Sequence, residues 1–270
     1  MRNRVALFVF LGAWCLGPAA LAEEGAQPAK PEPASEAAAP KTDPAAEKAL
    51  DEIVAAWGRL RSVSAGIEAT TTMPGPGGGA LSVVGAGTFE FLKKGESGLS
   101  RIELAVKPAG ATSDVTLADM VCVFDGKEGV AQIQMFGQTK VMKLAAEDDD
   151  NSKPSGHLMV DLLKGHFALR LLPDANVDGQ DTYEIEATPL FEVPLEMAFK
   201  SIRTWFAKDS GAPLKLEVVD AADVTQLTAR LKNVQLNPEI SEDRFVPPSD
   251  ATAAPADATP EETPAGTSAP

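Results

Sequence analysis

Two cysteines, two histidines and one dense run of acids are the residues of this 270-residue chain whose types and spacing could support chemistry. Cys122 sits inside the apolar run Met120-Val121-Cys122-Val123-Phe124. No cation or base stands beside it in sequence to make a thiolate, so it reads as a small buried core residue. His157 and His166 flank an apolar stripe. Nine residues apart, they fall about 180° from each other around a straight helix and cannot easily share one metal ion. The run Glu147-Asp148-Asp149-Asp150-Asn151-Ser152 has the look of a calcium loop, but Lys153 stands where such a loop needs its glycine and the distal glutamate is absent. The glycines of Pro74-Gly75-Pro76-Gly77-Gly78-Gly79 lack the Lys-Ser/Thr ending of a phosphate loop and read as a turn. Neither a nucleophile elbow, nor H-E-x-x-H, nor a dinucleotide glycine fingerprint is present. The expectation is binding without catalysis: no catalytic residue, no metal and no cofactor.

Charge narrows the ligand. The net charge is -15, and a nucleic-acid binder needs cations to displace phosphate counterions. At the N-terminus, Arg2 and Arg4 precede an apolar run from Val5 to Leu16, followed by Ala20-Leu21-Ala22 before Glu23. This is the pattern of a cleaved export signal over residues 1–22, too short for a permanent membrane anchor. Its removal takes Cys15 with it and leaves Cys122 without a partner for an internal disulfide. Residues 23–42 are mostly Ala, Pro, Glu and Lys, and 250–270 mostly Ala, Pro, Thr and acids. Both read as disordered, because they hold too little apolar surface to offset chain entropy. One folded domain is expected over 43–249.

The elements that must position any site follow from periodicity. Asp43-Pro44 fits a helix cap followed by proline at the first helical position. Leu50, Ile53, Val54, Trp57 and Leu60 then recur on one helical face. Strands are expected over 64–72, 80–92, 101–107, 120–124, 129–135, 138–144, 182–188, 199–207, 213–220 and 223–236. A second helical stripe, Leu158, Met159, Leu162, Leu163 and Phe167, is expected to run on towards Pro173. Short turns such as Asp125-Gly126, Phe136-Gly137 and Asp209-Ser210-Gly211 require antiparallel order.

This succession of an amphipathic helix, a Thr-rich strand, a glycine-bearing hairpin and antiparallel strands carries three sharper signals. They are Val123-Phe124-Asp125-Gly126-Lys127, Asp209-Ser210-Gly211-Ala212-Pro213-Leu214-Lys215-Leu216, and Leu231-Lys232-Asn233-Val234-Gln235-Leu236-Asn237 leading to Arg244-Phe245-Val246-Pro247-Pro248. Over roughly residues 45–250 the chain resembles the LolA-like family, the periplasmic carriers of outer-membrane lipoproteins. The resemblance implies a mainly β fold with helices (α+β), an incomplete antiparallel β-barrel of about ten strands covered by helices, with an apolar cavity for acyl chains. It implies a periplasmic protein that acts as a carrier or chaperone in outer-membrane biogenesis. Its partners would be lipoprotein acyl chains or other lipid, an inner-membrane donor and an outer-membrane acceptor.

Alternation places Phe89, Phe91, Ile102, Leu104, Val106, Val121, Val123, Ile133, Leu216 and Val218 as candidate lining residues. Leu158, Met159, Leu162, Leu163 and Phe167 are the candidate lid. The carriers have an arginine followed by proline after the first long hairpin to hold the lid. Here the matching stretch reads Lys93-Lys94-Gly95-Glu96, so Lys94, or Arg101 on the next strand, is the cation offered for that role. Two other readings stay open: a sensor or interaction module of the same fold, and an envelope-associated structural protein whose barrel is filled.

Overall fold

The computed structural model describes residues 41–74, 80–95, 97–110, 115–126, 129–135, 137–144, 158–190 and 199–248. The export signal, most of both Pro/Ala-rich ends, the glycine run, the 147–152 acids and His157 lie outside these residues.

Helix α1 spans Pro44–Trp57. Asp43 is its cap, as the sequence predicts: its backbone is extended and its carboxylate accepts a hydrogen bond from the Ala45 N–H at 2.9 Å. The same residue fixes the helix to the sheet, because the Asp43 N–H donates to the Leu169 carbonyl at 2.8 Å. Ala46, Ala49, Leu50, Ile53, Ala56 and Trp57 are buried along one face. Each fully buried Leu or Ile contributes about 2 kcal/mol.

Twelve strands form one antiparallel sheet: β1 Ser62–Pro74, β2 Ala80–Lys94, β3 Ser97–Pro108, β4 Ala118–Phe124, β5 Gly129–Met135, β6 Gln138–Leu144, β7 Phe167–Leu171, β8 Ala175–Val177, β9 Gln180–Pro189, β10 Ser201–Ala207, β11 Pro213–Val219 and β12 Thr225–Leu236. Their order is β6-β5-β4-β3-β2-β1-β12-β11-β10-β9-β7, with β8 pairing β9 off this path. The sheet is open, with β6 and β7 at its ends among the described residues.

Two strands exceed the expected ten. Helix α2, Leu158–His166, stops earlier than the sequence pattern implies, and Phe167 begins β7 instead of completing a helical stripe. Pairing decides this. Phe167, Leu169 and Leu171 lie opposite Pro189, Ala187 and Ile185 of β9, so a period-two register overrides a helical spacing. Strand β8 is three residues long and carries too little pattern to be read from sequence.

Register defines two faces. Leu169, Ala187, Ile202, Val218 and Leu227 follow one another across β7, β9, β10, β11 and β12. They form a single buried cluster with Leu50 and Ile53 of α1 and Val160 and Leu163 of α2. This is the helix side of the sheet. Tyr183 donates to Glu52 of α1, and the hydrogen bond to that carboxylate pushes the phenol up to about 12. Lys164 of α2 pairs with Asp51 of α1 at 2.6 Å.

Thr204, fully buried between Leu216 and Ile185 in this core, has no hydrogen-bond partner for its hydroxyl. Thr204→Val keeps the shape and removes the orphan oxygen. It should stabilise the protein by about 1 kcal/mol, read as a higher urea midpoint with unchanged slope.

Candidate functional site: the apolar face of β1 to β6

On β1 to β6 the helix side of the sheet continues, but the packing changes. Leu104, Met120, Cys122 and Ala131 are buried together, with Ile67, Ile102, Val106, Ile133 and Met142 half-buried against them. No helix residue belongs to this cluster.

Three cross-strand rows describe the surface. One runs Leu231, Ile67, Gly87, Leu104, Met120, Ile133. The next runs Ala229, Ala69, Gly85, Val106, Ala118, Met135. The third, from β1, runs Ala65, Phe89, Ile102, Cys122, Ala131, Met142. A six-strand row is about 24 Å wide at the usual strand spacing. None of the three contains a charged side chain. Lys140 and Gln138 extend two of them only at edge strand β6. Cys122 is the one ionisable group in these rows, and burial pushes its thiol up to about 11, so it stays protonated and inert at neutral pH.

Glycine shapes the middle of this surface. Gly85 and Gly87 leave β2 without side chains opposite Val106 and Leu104. A Cβ on Gly87 would run into the Glu103 carbonyl, so β2 and β3 approach there more closely than any other residue permits. A cleft of about 430 Å3 opens at the β12 end of the first row, where Leu231 lines it with Leu214, Val234, Val177 and Lys232. Lys232 pairs with Asp178 across it at 3.1 Å.

The predicted lining residues fall into four groups. Ile102, Leu104, Val106 and Ile133 share the β1–β6 cluster. Phe91 is buried beside Trp57 of α1, ring centroids 4.8 Å apart, with Phe89 packed against the same cluster. Leu216 and Val218 lie in the core with residues of both helices. Val121 and Val123 point the other way: Val121 lies opposite Glu103 and Gln132, and Val123 opposite Arg101 and Val130. Both join a cluster on the back of the sheet with Leu99 and Phe245, and so cannot line the same surface as Leu104. The apolar run hid this, because every residue from 120 to 124 fits either face; Met120 and Cys122 are the ones turned to the helix side. Ile67 and Met142 were also missed: each has a charged residue on one side, Glu68 and Lys143, but Gly66 and Val141 on the other blur the alternation.

Of the predicted lid, Leu163 and Phe167 are buried in the helix-side core and Met159 packs against it. The side chains of Leu158 and Leu162 lie outside the described residues. The two cations offered for holding that lid are engaged elsewhere. Lys94 pairs with Glu242 at 2.5 Å, while Arg101 pairs with Glu103 at 2.5 Å and donates to the Arg244 carbonyl at 3.0 Å. Both serve the C-terminal segment on the back of the sheet, because register puts Arg101 and Glu103 on the face opposite Ile102 and Leu104.

Glu103 sits at the centre of those ion pairs. The hydrogen bond from Arg101, then the charges of Arg101 and Arg244, hold its carboxyl below the ordinary range. A depressed folded-state value stabilises above the unfolded value and is lost as pH falls through the folded one. Glu103→Gln should therefore be less stable than the parent at pH 7, and the gap should close as pH falls from the ordinary carboxylate range through the depressed folded value. Urea midpoints of both proteins across that range check this.

Among the described residues, no group of three or more His, Cys, Asp or Glu could hold a metal ion. Among them too, no helix is long and apolar enough to cross a membrane. No family model matches the sequence, and no curated protein matches it either. Solved structures do. A LolA superfamily protein from Nitrosomonas europaea is 11% identical, with 74% of this chain and 97% of that one covered and a TM-score of 0.29. A DUF1329 family protein from Desulfovibrio piger is 16% identical, covering 79% of this chain and all of that one, with a TM-score of 0.38. MucB in the MucA/MucB complex of Pseudomonas aeruginosa is 13% identical, at a TM-score of 0.42; 75% of this chain matches 60% of that chain. At these values no activity passes from these proteins to this chain.

Proposed function

We propose that this chain is a periplasmic carrier that shelters the acyl chains of lipoproteins, or of other lipids, on the helix side of β1–β6. In this reading the open sheet is a half-barrel, the rows through Leu104 are its lining, and α1 and α2 close one half of it. The observation that supports it is the set of three cross-strand rows, charge-free from β12 to β5, with no helix residue in the cluster around Leu104 and α1 reaching the rows at Phe89, near Trp57. Each methylene taken out of water there contributes about 0.8 kcal/mol, so a surface of this breadth can offset the exposure of an acyl chain in an aqueous compartment. The N-terminal signal pattern supplies the compartment, and the LolA-like resemblance agrees with both. The chemistry needs no catalytic group.

The test is mass spectrometry of material extracted from the protein after purification from periplasm without detergent. Stoichiometric lipoprotein or lipid is the expected result. A protein that is empty and also takes up no fluorescent C16 fatty acid in vitro would overturn the reading. The half of the sheet under α1 and α2 favours the rival, since Leu216 and Val218 are already packed there by protein. If β1–β6 proves filled as well, an envelope-associated structural protein is the better account.

A further inference from the structure

The back of the sheet carries a device that the carrier reading does not use. After β12 the chain turns at Asn237, whose φ is 58°, and runs across the face opposite Leu104. It is tied first to β1: the Asn237 N–H donates to the Ser62 carbonyl at 2.8 Å, and the Asn237 amide oxygen accepts from the Arg61 N–H at 2.7 Å. The Ser62 hydroxyl donates to the Pro238 carbonyl. Ile240 and Phe245 then pack on Leu92 of β2, Leu99 of β3 and Val121 and Val123 of β4. A short 3-10 turn, Glu242–Phe245, aims Arg244 at Glu90 (3.0 Å) and Glu103 (3.2 Å) and sets Glu242 against Lys94.

We propose that residues 237–248 form a latch: closed, it holds β2–β4 in place from behind, and released, it lets that wall move and opens the apolar face. Alternation supplies the coupling. Val121 and Val123, pressed by the strap, flank Cys122; Arg101 and Glu103, held by the Arg244 carbonyl and guanidinium respectively, flank Ile102. The residues that form the front therefore move with those held from the back. The other half of the sheet is braced by two helices, whereas no helix residue joins the β1–β6 cluster. The grip is also light. Phe245 is its one fully buried side chain, and its ion pairs are half-exposed, a setting in which such pairs hold weakly. It can thus release without unfolding the helix-braced half. The purpose of the latch rests on the carrier reading, but its existence does not.

The test uses the full chain and reads Cys122, which sits buried on the front of β4, by thiol labelling mapped to its own peptide. Arg244→Ala and Phe245→Ala should each accelerate Cys122 labelling by at least tenfold. The near-UV signal of Trp57 and Trp205, which lie in the cluster at the end of α1, should be unchanged. Lys200→Ala, which removes a pair with Asp223 away from the strap, should leave the rate alone. Labelling within twofold of the parent in both strap variants would overturn the latch. So would acceleration that appears only together with loss of the tryptophan signal. Binding of the fluorescent C16 fatty acid is measured on the same proteins. Faster labelling in variants of a protein that binds no fatty acid would uphold the latch and reject the carrier reading.

Discussion

Leu104→Glu lowers the affinity for an acyl-chain probe by about 100-fold, from a carboxylate placed in the middle of an apolar row at a cost of about 3 kcal/mol. Leu104 is 3% exposed and lies between Gly87 and Met120, neither of which offers it a hydrogen-bond donor from a side chain. Because the site is so deep, the variant also loses stability, and binding must be read in protein shown to be folded by its near-UV spectrum. Ile133→Glu supplies the same charge two strands away in the same row, at a half-buried position that tolerates it better. Fatty-acid titration of the folded variants is the measurement. If both bind like the parent, the rows through Leu104 are not the lining. Arg170→Ala, at an exposed pair with Glu186 of β9, is the matched control and should bind normally.

Gly211→Ala is expected to cost about 3 kcal/mol or more. Two costs add. Gly211 has a φ of 71°, where an L side chain is disfavoured by about 1–2 kcal/mol. A Cβ at this position would also strike the Ile53 carbonyl and crowd the Trp57 N–H, both on the backbone of α1. Backbone cannot swing aside as a side chain does, so α1 must lift from the sheet or the turn must rearrange. The turn is held in place by the Gly211 N–H, which donates to the Ala207 carbonyl at 2.8 Å. Lifting α1 uncovers Leu50 and Ile53, so the loss should appear in the urea midpoint and as faster exchange of α1 amides. A variant as stable as the parent would show that α1 does not rest on this turn.

Local chemistry made a good part of the molecule legible in advance. Asp43-Pro44 specifies a helix start through one carboxylate and one fixed φ, both acting within three residues. Asp209-Ser210-Gly211 specifies a turn because glycine alone accepts its backbone angle without strain. The alternation of Ile102 and Leu104 with Arg101 and Glu103 assigns each to a face of one strand.

Only the tertiary structure decided what those faces meet. Val121 and Val123 were indistinguishable from Met120 and Cys122 until the register with β3 turned them to the back of the sheet. Leu216 and Ile133 show the same alternation, yet one is packed under helices and the other is not. Lys94 and Arg101 found their partners in residues 242–244, more than a hundred positions along the chain. Periodicity is a property of neighbours in sequence and specifies elements. Which side of an element is covered, and by what, depends on pairings between distant segments, which no local pattern records.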